Sequence, residues 1–199
     1  MGYCRSRQRV QTVPLITCSE DHHMAPSVCL YISSTLDGYI ARADGAIDWL
    51  TRIDDNDTDY GYAELYDSVD GIIMGSTTFE MIQALGPWPY TEKPTFIFTN
   101  RSLKATSANV YAVSGDPAQV VGSKAFSRFR KLWLVGGSAL IGTFVKRQLI
   151  DEFIITILPV VLGQGLRLFP SPVQEQWLSM VSCTPFDRGV LQVRYMKLQ

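Results

Sequence analysis

From Ser27 onward the chain alternates short apolar runs with segments whose apolar residues recur every three or four positions. Short apolar runs bounded by turn residues read as buried strands, and the longer spacing reads as a helix with one buried face. Residues 28–34 predict a first strand, closed by the turn Leu36-Asp37-Gly38, and residues 39–41 a brief continuation before a second turn at Asp44-Gly45. Residues 51–59 are acidic and read as loop. Asp57 or Thr58 is placed to cap a helix on which Tyr62, Leu65, Tyr66 and Val69 share a face. Strands are predicted over 93–99 and 109–113. A helix follows from Ser114-Gly115-Asp116-Pro117, where proline suits the first turn. The tail is strand only, at 152–161, 177–185 and 190–198, with Asp187-Arg188-Gly189 suited to a hairpin. This order predicts one α/β domain: a mostly parallel twisted sheet with flanking helices and an antiparallel C-terminal edge.

Two segments carry a further pattern, a buried apolar run that ends on glycine and passes straight into a helix. They are residues 71–80 (Gly-Ile-Ile-Met-Gly-Ser-Thr-Thr-Phe-Glu) and 131–140 (Lys-Leu-Trp-Leu-Val-Gly-Gly-Ser-Ala-Leu). Their helices are expected to reach Leu85 and Arg147. Glycine lets the backbone approach a ligand, and a helix start offers unpaired N–H groups and a positive dipole end. One such turn is ordinary α/β punctuation. Two of them, with Ser76, Thr77, Thr78 and Ser138 at the helix starts, predict a groove that takes a dinucleotide's pyrophosphate from both sides. The plainer alternatives are close strand–helix packing at Gly136-Gly137 and helix capping by the hydroxyls.

Composition narrows the function classes. At 199 residues and a formal net charge of −1, the chain favours neither nucleic acid nor an anionic membrane as partner. No apolar run approaches the length that spans a bilayer, and a cytoplasmic protein is expected. Cys4, Cys18, Cys29 and Cys183 show no C-x-x-C spacing, so free thiols rather than a metal site are expected. His22 and His23 are the only histidines and lie together in a polar segment, which disfavours a histidine-based nucleophilic site. Residues 1–26 begin with Arg5, Arg7 and Arg9 and read as a disordered extension, leaving 27–199 as the domain.

Four motifs then fall in a telling order: Ser33-Ser34-Thr35-Leu36-Asp37-Gly38-Tyr39-Ile40-Ala41, Ile73-Met74-Gly75-Ser76-Thr77-Thr78-Phe79-Glu80, Val135-Gly136-Gly137-Ser138 and Leu149-Ile150-Asp151-Glu152. Pro159-Val160-Val161-Leu162-Gly163-Gln164-Gly165, followed by Leu168-Phe169, makes a fifth. Together they resemble the dihydrofolate reductase-like superfamily, in the branch of the reductase domain of the bifunctional riboflavin-biosynthesis deaminase-reductase. The resemblance covers about residues 28–199. It implies NADPH bound along the carboxyl ends of the strands and hydride transfer to a pterin- or pyrimidine-type heterocycle. It places Gly75, Ser76, Thr77 and Thr78 at the pyrophosphate and ribose, and Gly136, Gly137 and Ser138 on the opposite side toward the nicotinamide. It places Thr99, Asn100, Arg101 and Ser102 at the adenosine 2′-phosphate, which a guanidinium can hold with two hydrogen bonds. A homodimer is also implied, with the strand-rich tail as candidate interface.

The chain departs from that pattern in three places. Ser76 stands where classical members carry a basic residue. Tyr39 stands where the riboflavin enzyme has Lys or Arg, and Ile47-Asp48-Trp49-Leu50 replaces its Ser-x-Trp-Ile element. The zinc motif of the deaminase half is absent from the sequence. Reduction of a C=N bond also needs a proton. Asp59 matches the acid of classical dihydrofolate reductases by gapless counting, against the plain reading of a first-turn acid that suits the helix dipole. Asp48 is the alternative. Ser33, Thr35, Trp49 and Gln164 are the expected substrate contacts, Trp88 and Tyr90 candidate ring walls, Trp133 a core residue and Asp37 a turn former. The rival to a reductase is a nucleotide-binding regulatory protein on the same fold.

Overall fold

The computed structural model describes residues 11–12, 25–53, 58–104, 107–172 and 174–198. In chain order its elements are β1 (Gln11–Thr12), β2 (Ser27–Thr35), β3 (Tyr39–Ala41), α1 (Asp48–Thr51), α2 (Tyr62–Ser68), β4 (Gly71–Gly75) and α3 (Ser76–Leu85). There follow β5 (Thr95–Phe98), β6 (Val110–Val113), α4 (Pro117–Val121), β7 (Lys131–Gly136), α5 (Ser138–Lys146) and β8 (Glu152–Leu158). The chain ends with β9 (Leu166–Arg167), β10 (Leu178–Pro185) and β11 (Leu191–Lys197), the last two joined through a 3₁₀ turn at Asp187–Gly189. Nine strands form one sheet in the order β1-β6-β5-β4-β7-β2-β8-β11-β10. Every pairing from β1 to β8 is parallel, and β8-β11-β10 is antiparallel.

Period-two alternation along the strands sorts the core into two layers. Ile73, Leu30, Leu132 and Leu134 face the layer that holds Ile141 and Phe144 of α5 and Val120 and Val121 of α4. Ile72, Met74, Cys29 and Trp133 face the other, with Leu65 of α2 and Phe79 of α3. Each such fully buried aliphatic side chain contributes about 1.5–3 kcal/mol by leaving water. At the end of the sheet where β7 and β8 begin, Glu152 is buried between Lys131 Nζ at 2.7 Å and Arg194 at 2.5 Å. Burial works to raise this carboxyl, but the two cations outweigh it and hold it below the usual carboxylate range.

Several local expectations change. Asp57 lies outside the described residues, and Thr58 does not cap α2. That helix starts from Gly61 at φ +80°, with the Asp59 carboxylate accepting from the N–H groups of Gly61 and Ala63. The strand expected over 152–161 stops at Leu158. The short elements α1 and β9 were not expected, because four and two residues carry no readable period. Of the segment 1–26, Gln11–Thr12 pairs in parallel with β6, and residues 1–10 and 13–24 lie outside the described residues.

Candidate functional site

The chain leaves β4 toward β5 and β6 on one side, and leaves β7 past β2 toward β8 on the other. Adjacent parallel strands whose crossovers diverge leave a crevice at their carboxyl ends, the usual ligand position in open α/β sheets. Both strand-glycine-helix turns end here. Gly75 and Gly136 close neighbouring strands, and a Cβ built on Gly75 would lie 3.8 Å from both Gly136 O and Gly137 N. Their helices depart to opposite faces, since α3 packs with Met74 and α5 with Ile73. The crevice opens into a cleft of about 1030 Å³.

At one end of the cleft, donors come from the backbone. The helices α3 and α5 begin after Gly75 and Gly137, with no side chain bonded over the cap and no acidic residue in the first turn. Their positive ends are thus neither closed nor neutralised. Ser76, Thr77, Thr78, Gly137, Ser138 and Leu140 line this part. The two serine hydroxyls are engaged elsewhere: Ser138 Oγ donates to Arg167 O at 2.5 Å, and Ser76 Oγ accepts from Arg101 Nη2 at 2.8 Å. Gly136 sits at φ +127°, and a Cβ on Gly137 would stand 3.0 Å from Thr78 Oγ1. These glycines therefore keep the two helix starts close and uncovered.

Arg101 reaches this rim from the loop after β5, which the sheet order places beside β4. Its guanidinium also meets Glu80 Oε1 at 3.1 Å, and its backbone N–H is held by Thr99 Oγ1 at 3.0 Å. A guanidinium from a neighbouring loop, shared with Glu80, thus stands beside Ser76. Thr99, Asn100, Arg101 and Ser102 flank the cleft without lining it, and Gly136 lies just behind the lining Gly137.

The other end is aromatic. Tyr31, Trp49, Tyr90 and Trp133 line it with Ser33, Leu50 and Met81. Trp133 meets Tyr31 and Tyr90 edge-on at centroid distances of 6.0 and 5.4 Å, and its Nε1 donates to Tyr31 O at 3.1 Å. Burial raises the Tyr31 and Tyr90 phenols well above their ordinary value, so both stay protonated. Trp133 was expected only as core. It is buried and also lines the cleft, whereas Trp88 packs on Phe79 and Tyr90 behind it.

Three residues proposed for catalysis or substrate contact have other tasks, and a fourth lies outside the cleft. Asp59 caps α2, and those backbone N–H bonds hold its carboxyl below the ordinary range. Asp48 forms a two-pronged pair with Arg42, at 2.5 and 2.9 Å, which lowers its carboxyl likewise. Neither lines the cleft, and neither holds a proton at neutral pH. Thr35 Oγ1 donates to Asp37 at 2.6 Å and accepts from Tyr39 N at 2.9 Å, fixing the turn between β2 and β3. Gln164 is exposed and does not line the cleft. Asp37 does more than turn the chain: its carboxylate accepts from the N–H groups of Leu162 and Gly163, and the Thr35 hydroxyl leads in lowering it to about 2. Ser33 and Trp49 do line the ring end. Among the described residues, no cluster of three His, Cys, Asp or Glu side chains is arranged to hold a metal ion, and no helix is long and apolar enough to cross a membrane.

Comparison with known proteins agrees with this architecture. The uncharacterized protein YwjB of Bacillus subtilis (strain 168) is 34% identical over 175 residues, covering 87% of this chain and 99% of its own. A Shewanella sp. PV-4 protein provisionally named for riboflavin biosynthesis superposes with a TM-score of 0.79 at 30% identity, over 88% of this chain and all of its own. Enterococcus faecalis dihydrofolate reductase, solved with NADP(H), shares the fold at a TM-score of 0.60 and 12% identity, over 87% of this chain and 97% of its own. A model of the RibD C-terminal domain matches residues 88–192. With its dihydrofolate reductase-like sheet, the chain belongs to the RibD C-terminal domain family.

Proposed function

We propose that the protein is an NADPH-dependent reductase of a small nitrogen heterocycle. One observation carries the reading: two uncapped helix N-termini abut at the switch point of the sheet, with Arg101 at their rim. The N–H groups of the first turns of α3 and α5 would hold the pyrophosphate, and Arg101 the 2′-phosphate. A nicotinamide bound beside Gly137 and Ser138 would supply a hydride. The chain's own part is to stack a flat ring among Tyr31, Trp49 and Trp133, to hold it in place and to exclude water from its faces.

Asp44 is the one carboxylate among the described lining residues, and its Oδ1 accepts from Ala46 N in an exposed turn. Water rather than a buried acid is therefore the proton source in this reading. The same shortage favours the second reading, a nucleotide binder without turnover. Titration with NADPH and NADH, followed by nicotinamide fluorescence, tests both. Tighter binding of NADPH supports the reductase, and no binding of either dinucleotide refutes it. NADPH oxidation against dihydropterins and ribosylaminopyrimidines then separates reductase from binder.

The proposed assembly is a homodimer through the C-terminal edge. The strand β10 is exposed on both faces, and Trp177, Met180 and Met196 stand in solvent there. Light scattering that returns a monomer mass at micromolar concentration would refute it.

A further inference from the structure

The ring end of the cleft differs in charge from what a phosphorylated substrate needs. Among the described residues that line the cleft there is no Lys, Arg or His, and the one ionised side chain is the carboxylate of Asp44. Arg42 is spent on Asp48 through two hydrogen bonds, and Arg52, at the end of α1, does not line the cleft. Arg167 lies over the Tyr39 ring, 5.1 Å from its centroid. The two helix N-termini that suit phosphate lie at the opposite end. The helix α1, which brings Trp49 and Leu50 to the ring end, is four residues long with Asp48 in its first turn.

We infer that the substrate is a planar heterocycle without a phosphate group, and that the aromatic end of the cleft selects against a phosphoribosyl substituent. This deepens the reductase reading and rests on it. A phosphate dianion placed among Tyr31, Trp49, Leu50 and Asp44 would lose water without gaining a charged partner, which is unfavourable. A flat ring gains stacking on the same walls. Trp49 contributes its ring to these walls, while its Nε1–H is buried away from them and has no partner among the described residues.

Matched pairs test the inference: riboflavin against riboflavin 5′-phosphate, and 5-amino-6-ribitylaminouracil against its 5′-phosphate. Binding is read by quenching of tryptophan fluorescence, with and without saturating NADP⁺. The unphosphorylated member of each pair should bind about tenfold tighter or more, because the phosphate finds no cation. Asp44→Asn, which keeps an acceptor for Ala46 N–H, should narrow that gap about threefold by removing the one like charge. Trp49→Phe should weaken both members without changing NADPH affinity.

Equal or tighter binding of the phosphorylated member overturns the inference, as does failure of all four probes to bind. Either result with NADPH binding intact leaves the reductase reading standing. Loss of NADPH binding with the ring preference intact overturns the reductase reading alone.

Discussion

At the phosphate end of the cleft, recognition is left to the backbone: α3 and α5 start on glycine with their first N–H groups uncovered. At the ring end it is left to side chains: Tyr31, Trp49, Tyr90 and Trp133 come from β2, α1, the loop before β5 and β7. A third arrangement shows that the open helix starts are not simply how this chain begins helices. Asp116 accepts from Ala118 N at 2.9 Å and closes α4, and Asp59 closes α2. Helix α1 also starts without a capping side chain but carries Asp48 in its first turn, so among the described helices only the two that meet at the crevice start with neither a cap nor an acid. Backbone donors held in fixed directions suit a charge. Rings of mixed origin suit a shape.

The largest effect is expected at the phosphate end. Gly136→Ala places a side chain at φ +127°, with its Cβ 3.4 Å from Ile141 Cδ1. Strain of about 1–3 kcal/mol should then displace the turn and weaken NADPH binding by about ten- to a hundredfold. Unchanged affinity in the nicotinamide fluorescence titration would break the comparison, because the glycine would then be packing only. Next, Arg101→Ala should weaken NADPH by about tenfold and leave NADH unaffected, given the worth of a charge-assisted hydrogen bond. Equal loss for both dinucleotides would show that the guanidinium merely braces Ser76 and Glu80.

Smaller effects are expected from the carboxylates near the ring end. Asp59→Ala should lower the thermal midpoint through loss of the α2 cap, while Asp48→Asn and Asp59→Asn change turnover by less than about threefold. A fall of about a hundredfold at either position would restore it as proton donor. The smallest concerns Asp37, whose carboxyl is lowered from 3.8 to about 2 by the Thr35 hydroxyl and the Leu162 and Gly163 N–H groups. A depressed folded-state value stabilises above the unfolded value and loses that contribution as pH falls through the folded one. The gap in thermal midpoint between the protein and Asp37→Asn should therefore be full at neutral pH. It should shrink as pH drops from about 4 toward 2, and a gap that persists at pH 2 would show a role independent of charge.

The two ends also differ in how far they could be read from sequence. Glycine, serine and threonine at a strand–helix junction are local signals, so the turns at Gly75 and Gly136 were legible. So was the order of strands and helices that makes the sheet. The abutment of the two turns was not, because it depends on β4 and β7 being neighbours although some sixty residues apart. The ring end was less legible still. Tyr31 and Trp133 read as residues of buried strands; Trp133 is buried and Tyr31 half-buried, and nothing in their spacing says that they also face a cleft. Asp48 and Asp59 stayed ambiguous for a related reason: an acid near a helix start looks alike whether it caps, pairs or donates a proton. Only the distances to Arg42, Gly61 and Ala63 separate these roles.

The central claim is that backbone N–H groups at two adjoining helix starts receive the dinucleotide. Backbone amide resonances of the ¹⁵N-labelled protein, followed during addition of NADPH, test it most directly. The account predicts that the largest shifts fall on Ser76, Thr77 and Thr78 and on Ser138, Ala139 and Leu140 together, with the amides of α4 unmoved. Shifts confined to one of the two turns, or centred elsewhere, would contradict it.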